Sequence, residues 1–88
     1  MKTDYTKESG MLKALAHPVR LKMAAGLLGK ECNVTRMVKA LGLPQSTVSQ
    51  HLAVLKAKGI VTTRKEGVRT CYRVADPRIK GLLKALGD

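Results

Sequence analysis

The stretch LGLPQSTVSQHLAVLKAKGIV, residues 41–61, sets a glycine, a proline and a run of short polar side chains ahead of a leucine ladder. Gln45, Ser46, Thr47, Ser49 and Gln50 are all neutral, in a chain whose formal net charge is +11. A solvated helix face in so basic a protein is expected to carry lysines. A neutral hydrogen-bonding patch instead points to a partner that presents its own pattern of donors and acceptors. Turned at about 100° per residue, a helix over Gln45 to Lys58 gathers Val48, Leu52 and Leu55 on one side. Gln45, Ser46, Ser49 and Gln50 gather on another, centred roughly 120° away. The leucine side docks, and the amide and hydroxyl side faces out near the helix start.

Upstream, Asn33 can cap a short helix from Val34 to Leu41, with Val34, Met37, Val38 and Leu41 inward. Gly42 ends it by permitting a left-handed conformation, Leu43 anchors the turn, and Pro44 sets φ for the next helix, which Gly59 closes. A short helix, a glycine turn and a second helix polar in its first two turns make a helix-turn-helix, residues 34–58, whose second helix enters the DNA major groove N-terminus first. Glutamine can bond adenine through two groups, and serine can serve donor or acceptor edges. Lysine and arginine hold phosphates of any sequence equally, so they position without reading. The expectation is that Gln45, Ser46, Ser49 and Gln50 read bases, while Thr47, Arg36, Lys39, Lys56, Lys58, Arg64, Lys65 and Arg69 hold the backbone. The plainer reading, that Ser46, Thr47 and Ser49 cap and solvate a helix start, accounts for one of them and not for the whole face.

Downstream the period changes to two. IVTTRK and RTCYRV are rich in β-branched residues and flank Glu66-Gly67-Val68, which reads as a hairpin over 60–74. Behind a helix-turn-helix this is a wing, with Arg64, Lys65 and Arg69 near its tip; the alternative is an ordinary basic edge hairpin. Towards the start, Thr6 can cap a first helix with Met11, Leu12, Leu15 and Ala16 as an apolar stripe. His17-Pro18 interrupts it, with His17 as a cap and Pro18 in the first turn of a second helix. That helix carries Val19, Met23 and Leu27 in a row, broadened by Leu21, Ala24 and Leu28, and Gly29 stops it. Asp76-Pro77 offers a cap and a first-turn proline for a last helix, residues 77–86. The fold class is therefore mainly α with a small β-hairpin, a winged helix-turn-helix in the order α-α-α-α-β-β-α, as one domain over 1–88.

Bulk composition agrees. Seventeen Lys plus Arg stand against six Asp plus Glu, which predisposes the surface to polyanions. Two tyrosines, with no Phe or Trp, give no stacking platform for single strands, so double-stranded DNA is the expected partner. A chain this short buries only about 60–65% of its unfolded surface, so a second copy would help it. No apolar run approaches the ~20 residues that cross a bilayer, so no membrane is expected. MKTDYTKESG lacks the apolar core of a signal peptide, and the expected location is cytoplasmic. No nucleophile with a nearby base, phosphate loop or carboxylate pair argues for an enzyme, and no cofactor is expected.

LKALAHPVRLKMAAGLL (12–28), LGLPQSTVSQHLAVLKAKGIVTTRKEG (41–67) and YRV (72–74) together resemble the ArsR/SmtB winged-helix repressors over about residues 6 to 86. The resemblance implies a homodimer built on the first and last helices, bound to a palindromic operator. It also implies repression relieved by an inducer: a metal ion, a metalloid or a sulfur species. By position, Gln45, Ser46, Ser49 and Gln50 fall where the family touches bases. The family's metal sites do not carry over. One needs Cys-x-Cys in the stretch matching Glu31-Cys32-Asn33-Val34, and the other needs Asp and His pairs that DPRIKGLLKALGD, without a histidine, cannot supply.

Cys32 and Cys71 are expected to be reduced thiols at rest. Cys71 has Arg69 and Arg73 two residues away on its strand face, which favours a reactive thiolate, and Cys32 precedes a helix cap. A redox switch at one or both stands against simple packing roles. His17 and His51 lack ligand spacing, so no metal site is expected. The leading reading is a sequence-specific DNA-binding repressor; the alternative is a non-specific architectural DNA-binding protein without an effector.

Overall fold

The computed structural model describes residues 4–30 and 32–87, with Cys32 described by its backbone alone. Eight elements follow in order: α1 (Thr6–Leu15), α2 (Pro18–Gly29), β1 (Cys32–Asn33), α3 (Val34–Leu41), α4 (Gln45–Ala57), β2 (Val61–Glu66), β3 (Arg69–Val74) and α5 (Arg78–Ala85). The four leading helices, the hairpin and the closing helix stand as the residue pattern predicts.

The core is assembled around α4. Val48, Leu52, Leu55, Ile60 and Ile79 are each 0% exposed, so one side of α4 is wholly out of water. Fully burying such a side chain contributes about 1.5–3 kcal/mol. Met11, Ala14 and Leu15 of α1, Met23, Ala24 and Leu27 of α2, and Met37 of α3 close around them.

Two glycines set the geometry of the site. Gly42 has φ 67° and gives its N–H to Val38 O at 2.9 Å, a one-bond left-handed ending that turns the chain sharply from α3 into α4. Gly59 has φ 73°. Its N–H bonds Lys56 O at 3.0 Å while Ile60 N–H bonds Leu55 O at 3.0 Å. This two-bond ending brings Ile60 against Leu55, both fully buried, and so fixes the direction in which the hairpin leaves α4. Ala75 N–H to Ile60 O, 2.9 Å, pins the far end of the hairpin to the same point.

The structure corrects several local expectations. Thr6 does not cap α1; Asp4 Oδ1 accepts the Thr6 N–H at 3.0 Å. Ala14 takes the core place expected of Leu12 and Ala16, because the inward row of α1 is Met11, Ala14 and Leu15; Leu12 is 50% exposed. Gly29 is the last residue of α2, and the stop falls on Lys30, whose backbone is extended at φ −164°. The last helix spans Arg78–Ala85, shorter by one residue at each end, with Asp76 still serving it: its Oδ1 accepts the Arg78 N–H at 2.9 Å. The hairpin loop is two residues, Gly67-Val68, because Glu66 pairs with Arg69. Finally, β1 is an unexpected third strand. The sheet order is β1-β3-β2, with Asn33 opposite Cys71 and Cys32 opposite Tyr72. A two-residue strand has no periodicity to read, which is why the sequence concealed it.

Candidate nucleic-acid interface

The exposed side of α4 begins at its N-terminus. Pro44 stands at the N-cap and no side chain caps the helix, so the hydroxyls of Ser46, Thr47 and Ser49 are not spent on capping. Free N–H groups at such a helix start favour an anion. Gln45, Ser46, Ser49 and Gln50 are exposed, and Thr47 is half-buried. Among the described residues none of these five side chains is hydrogen-bonded within the chain. Their donors and acceptors are left to a partner, while Val48, Leu52 and Leu55 hold the rod from behind.

Three residues brace α4 against α2. His17 caps α2 as expected, its Nδ1 accepting the Val19 N–H at 3.1 Å. The His17 and His51 rings lie 4.6 Å apart and tilted by 52°. Arg20 Nη1 stands 3.3 Å from His51 Nδ1, and Arg20 Nε also donates to the Ala14 carbonyl. Burial pushes the His51 pKa below its ordinary value, and His17 and Arg20 push it further the same way. His51 therefore packs toward α2, behind the exposed neutral face of α4. The sequence reading omitted Arg20, because its partner His51 is 31 residues away and no local spacing links the two.

On the wing, Val68 is 100% exposed at the tip, an apolar residue that the sequence reading passed over. Lys65 and Arg69 are exposed beside it. Arg64 is exposed as well, but its Nη1 is held by Glu66 Oε2 at 2.8 Å. Arg36 and Lys39 are exposed on α3. Lys56 occupies the last turn of α4, roughly 16 Å along the axis from Gln45 at 1.5 Å per residue. Lys58 lies over α1, its Nζ 3.5 Å from where a Cβ would sit on Gly10. The fold thus sets the exposed neutral face at the start of α4, and leaves Lys56 and Lys58 at the opposite end.

Cys71 is half-buried and free of any disulfide. It is directly opposite both Asn33 and Arg64, so the register adds Arg64 to the Arg69 and Arg73 that share its face. The Cys32 side chain, and with it half of the thiol expectation, lies outside the described residues.

The terminal helices are tied within the chain by Arg78. Its guanidinium bonds Asp76 Oδ2 at 2.7 Å and reaches Glu8 Oε2 at 3.4 Å. The hydrogen bond from Arg78 holds the Asp76 carboxyl at about 2, far below the usual carboxylate range. Beyond this tie, Leu12 on α1 and Leu86 after α5 are 50% and 65% exposed. No described helix is long and apolar enough to cross a membrane.

The signature described as "Bacterial regulatory protein, arsR family" matches residues 17–63, from His17 through the start of the wing. The transcriptional repressor PagR of Bacillus anthracis is 39% identical over 80 residues, covering 90% of this chain and 80% of its own length. The structure of HlyU from Vibrio cholerae superposes with a TM-score of 0.89 at 36% identity, covering 98% of this chain and 94% of HlyU. A homodimeric winged helix-turn-helix DNA-binding domain from Mycobacterium bovis superposes with a TM-score of 0.86 at 29% identity, covering 99% of this chain and 85% of that one.

Proposed function

The chain belongs to the ArsR family of bacterial regulatory proteins, and on that footing we propose that it is a homodimeric, sequence-specific repressor acting on double-stranded operator DNA in the cytoplasm. The observation that carries this reading is the unbonded amide-and-hydroxyl face of α4, set on a fully buried leucine side. Gln45, Ser46, Ser49 and Gln50 read base edges in the major groove. Arg36, Lys39 and Thr47 hold phosphates near the helix-turn-helix, and Lys65 and Arg69 do so at the wing, with Arg64 divided between DNA and Glu66. Val68 leads the wing tip into the minor groove. Lys56 contributes long-range attraction rather than contact.

The dimer forms across α1 and α5. The exposed Leu12 and Leu86, on elements already joined by Arg78, support that surface, as does the homodimeric neighbour from Mycobacterium bovis. Two reading helices related by a twofold axis fit a palindromic site. Leu12→Lys is expected to give monomers by sedimentation and to weaken operator binding; an unchanged dimer would move the interface elsewhere.

Release by a thiol-reactive inducer rests on Cys71, half-buried in a row with three arginines. Treatment with a polysulfide is expected to free the DNA, and Cys71→Ser to prevent it.

The decisive experiment is a titration of the protein on the DNA upstream of its own gene against scrambled duplex. Specific binding is expected to exceed non-specific binding by roughly a thousandfold or more. Equal affinity for both would make the protein an architectural DNA binder instead.

A further inference from the structure

A groove runs between α2 and α3, with a volume of about 730 Å³. Its floor is apolar: Met23, Leu27 and Met37 are each buried to 5% exposure or less. Its rim is cationic on both walls, with Lys22 of α2 and Lys30 just after it, and Arg36 and Lys39 from α3. Among the described residues no carboxylate lines it.

Gly26 lies in the interior of α2, where glycine is disfavoured against alanine. Nothing here asks for it: its φ is not positive, and no atom comes within 4 Å of where a Cβ would sit. Gly26 is exposed and lines the groove, so the position is open there for a ligand to lie across it. Two methionines beside that opening supply an adaptable surface for a flexible chain.

We propose that this groove binds a free anionic amphiphile, a single alkyl chain ending in a carboxylate or phosphate. The chain lies over Gly26 between Met23 and Met37. The head group is held by the rim cations, whose own aliphatic stems extend the apolar wall. The volume falls within the roughly 300–1,000 Å³ of ordinary small-ligand sites. A bare phosphate would leave the floor unused, and a neutral alkyl group would leave four cations unmatched. Arg36 and Lys39 serve both this rim and, on the reading above, the DNA backbone. An occupied groove therefore takes two phosphate anchors from the operator, which makes the amphiphile an inducer. This last step rests on the proposed DNA contacts; the binding itself does not.

The test is an NMR titration of the isotope-labelled full chain with dodecanoate below its micelle concentration, alongside dodecanol, acetate and an acidic amphipathic peptide. Dodecanoate is expected to shift the amides of Gly26, Leu27, Met37 and Ala40 in a saturable way. Dodecanol should bind at least about tenfold more weakly, and acetate should leave those amides unmoved. Gly26→Leu sets a bulky side chain of a good helix former in the groove, over Met23 and Leu27. It is expected to keep the melting temperature and duplex binding while abolishing the dodecanoate shifts. In a binding assay on the upstream duplex, dodecanoate should release the wild-type protein and leave Gly26→Leu bound.

Absence of shifts overturns the proposal, as does equal binding of dodecanol. Shifts confined to Leu12 and Leu86 would also overturn it, as would saturable shifts given only by an acidic amphipathic peptide, which would assign the groove to a protein partner. Dodecanoate bound in the groove with the duplex undisturbed would overturn the inducer role. Failure to prefer upstream DNA would instead sink the repressor reading and leave the groove shifts in place, so the two failures are distinguishable.

Discussion

Arg20 Nη1 stands 3.3 Å from His51 Nδ1, so a group that can only donate fixes that nitrogen as the acceptor. The contact favours the neutral ring with its proton on Nε2, at the middle of α4, in line with the lowered His51 pKa. Protonation at Nδ1 would set an N–H against an N–H and loosen α4 from α2.

The first prediction follows from that contact. The folded His51 pKa lies below its ordinary 6.5, so between those values the unfolded chain takes up a proton that the folded chain resists. The stability from this group is complete above 6.5 and is lost as pH falls through the lower folded value. Thermal melts should show stability declining as pH falls from 6.5 toward the folded value, with operator affinity falling alongside it. His51→Gln, which keeps an acceptor for Arg20 and cannot titrate, should flatten the decline; an unaltered pH slope would remove His51 as its cause. Asp76 adds a separate step in stronger acid. Its contribution is present above 3.8 and disappears as pH falls toward about 2.

Base reading is tested at the exposed face of α4. Ser49→Ala and Gln50→Ala should each cost about 1–3 kcal/mol on the operator and little on random duplex. Both residues are exposed, so stability should hold. Equal losses on the two DNAs, measured by competition, would reduce these side chains to general contacts.

The wing yields a gain of binding. Glu66 occupies Arg64 at 2.8 Å, and both side chains are more than half exposed, so the pair itself contributes little to folding. Glu66→Gln should raise affinity for any duplex and steepen the salt dependence by about 0.9 for each phosphate newly neutralised. Unchanged binding would show that Arg64 does not reach the DNA.

Leu52 tests the backing of the reading helix. It is 0% exposed, and Leu52→Ala should cost ~2–5 kcal/mol in chemical denaturation. A near-neutral result would contradict the packing of α4 described above.

What the sequence determined by itself was local. Val48, Leu52 and Leu55 recur at helical spacing, Gly42 and Gly59 stand where left-handed endings are needed, and Asn33 and His17 hold their caps, because each depends on residues within a turn or two. The neutral face of α4 was legible for the same reason: a periodicity of 3.6 assigns every side chain of one helix to a side. Tertiary structure alone decided that Asn33 and Cys71 are neighbours across β1 and β3, that Arg20 braces His51, and that Ala14 rather than Leu12 enters the core. It alone brought Gly26 and Met37 to one groove. These relations join residues distant in sequence, or depend on which side of a helix another element covers, and no local spacing records that choice.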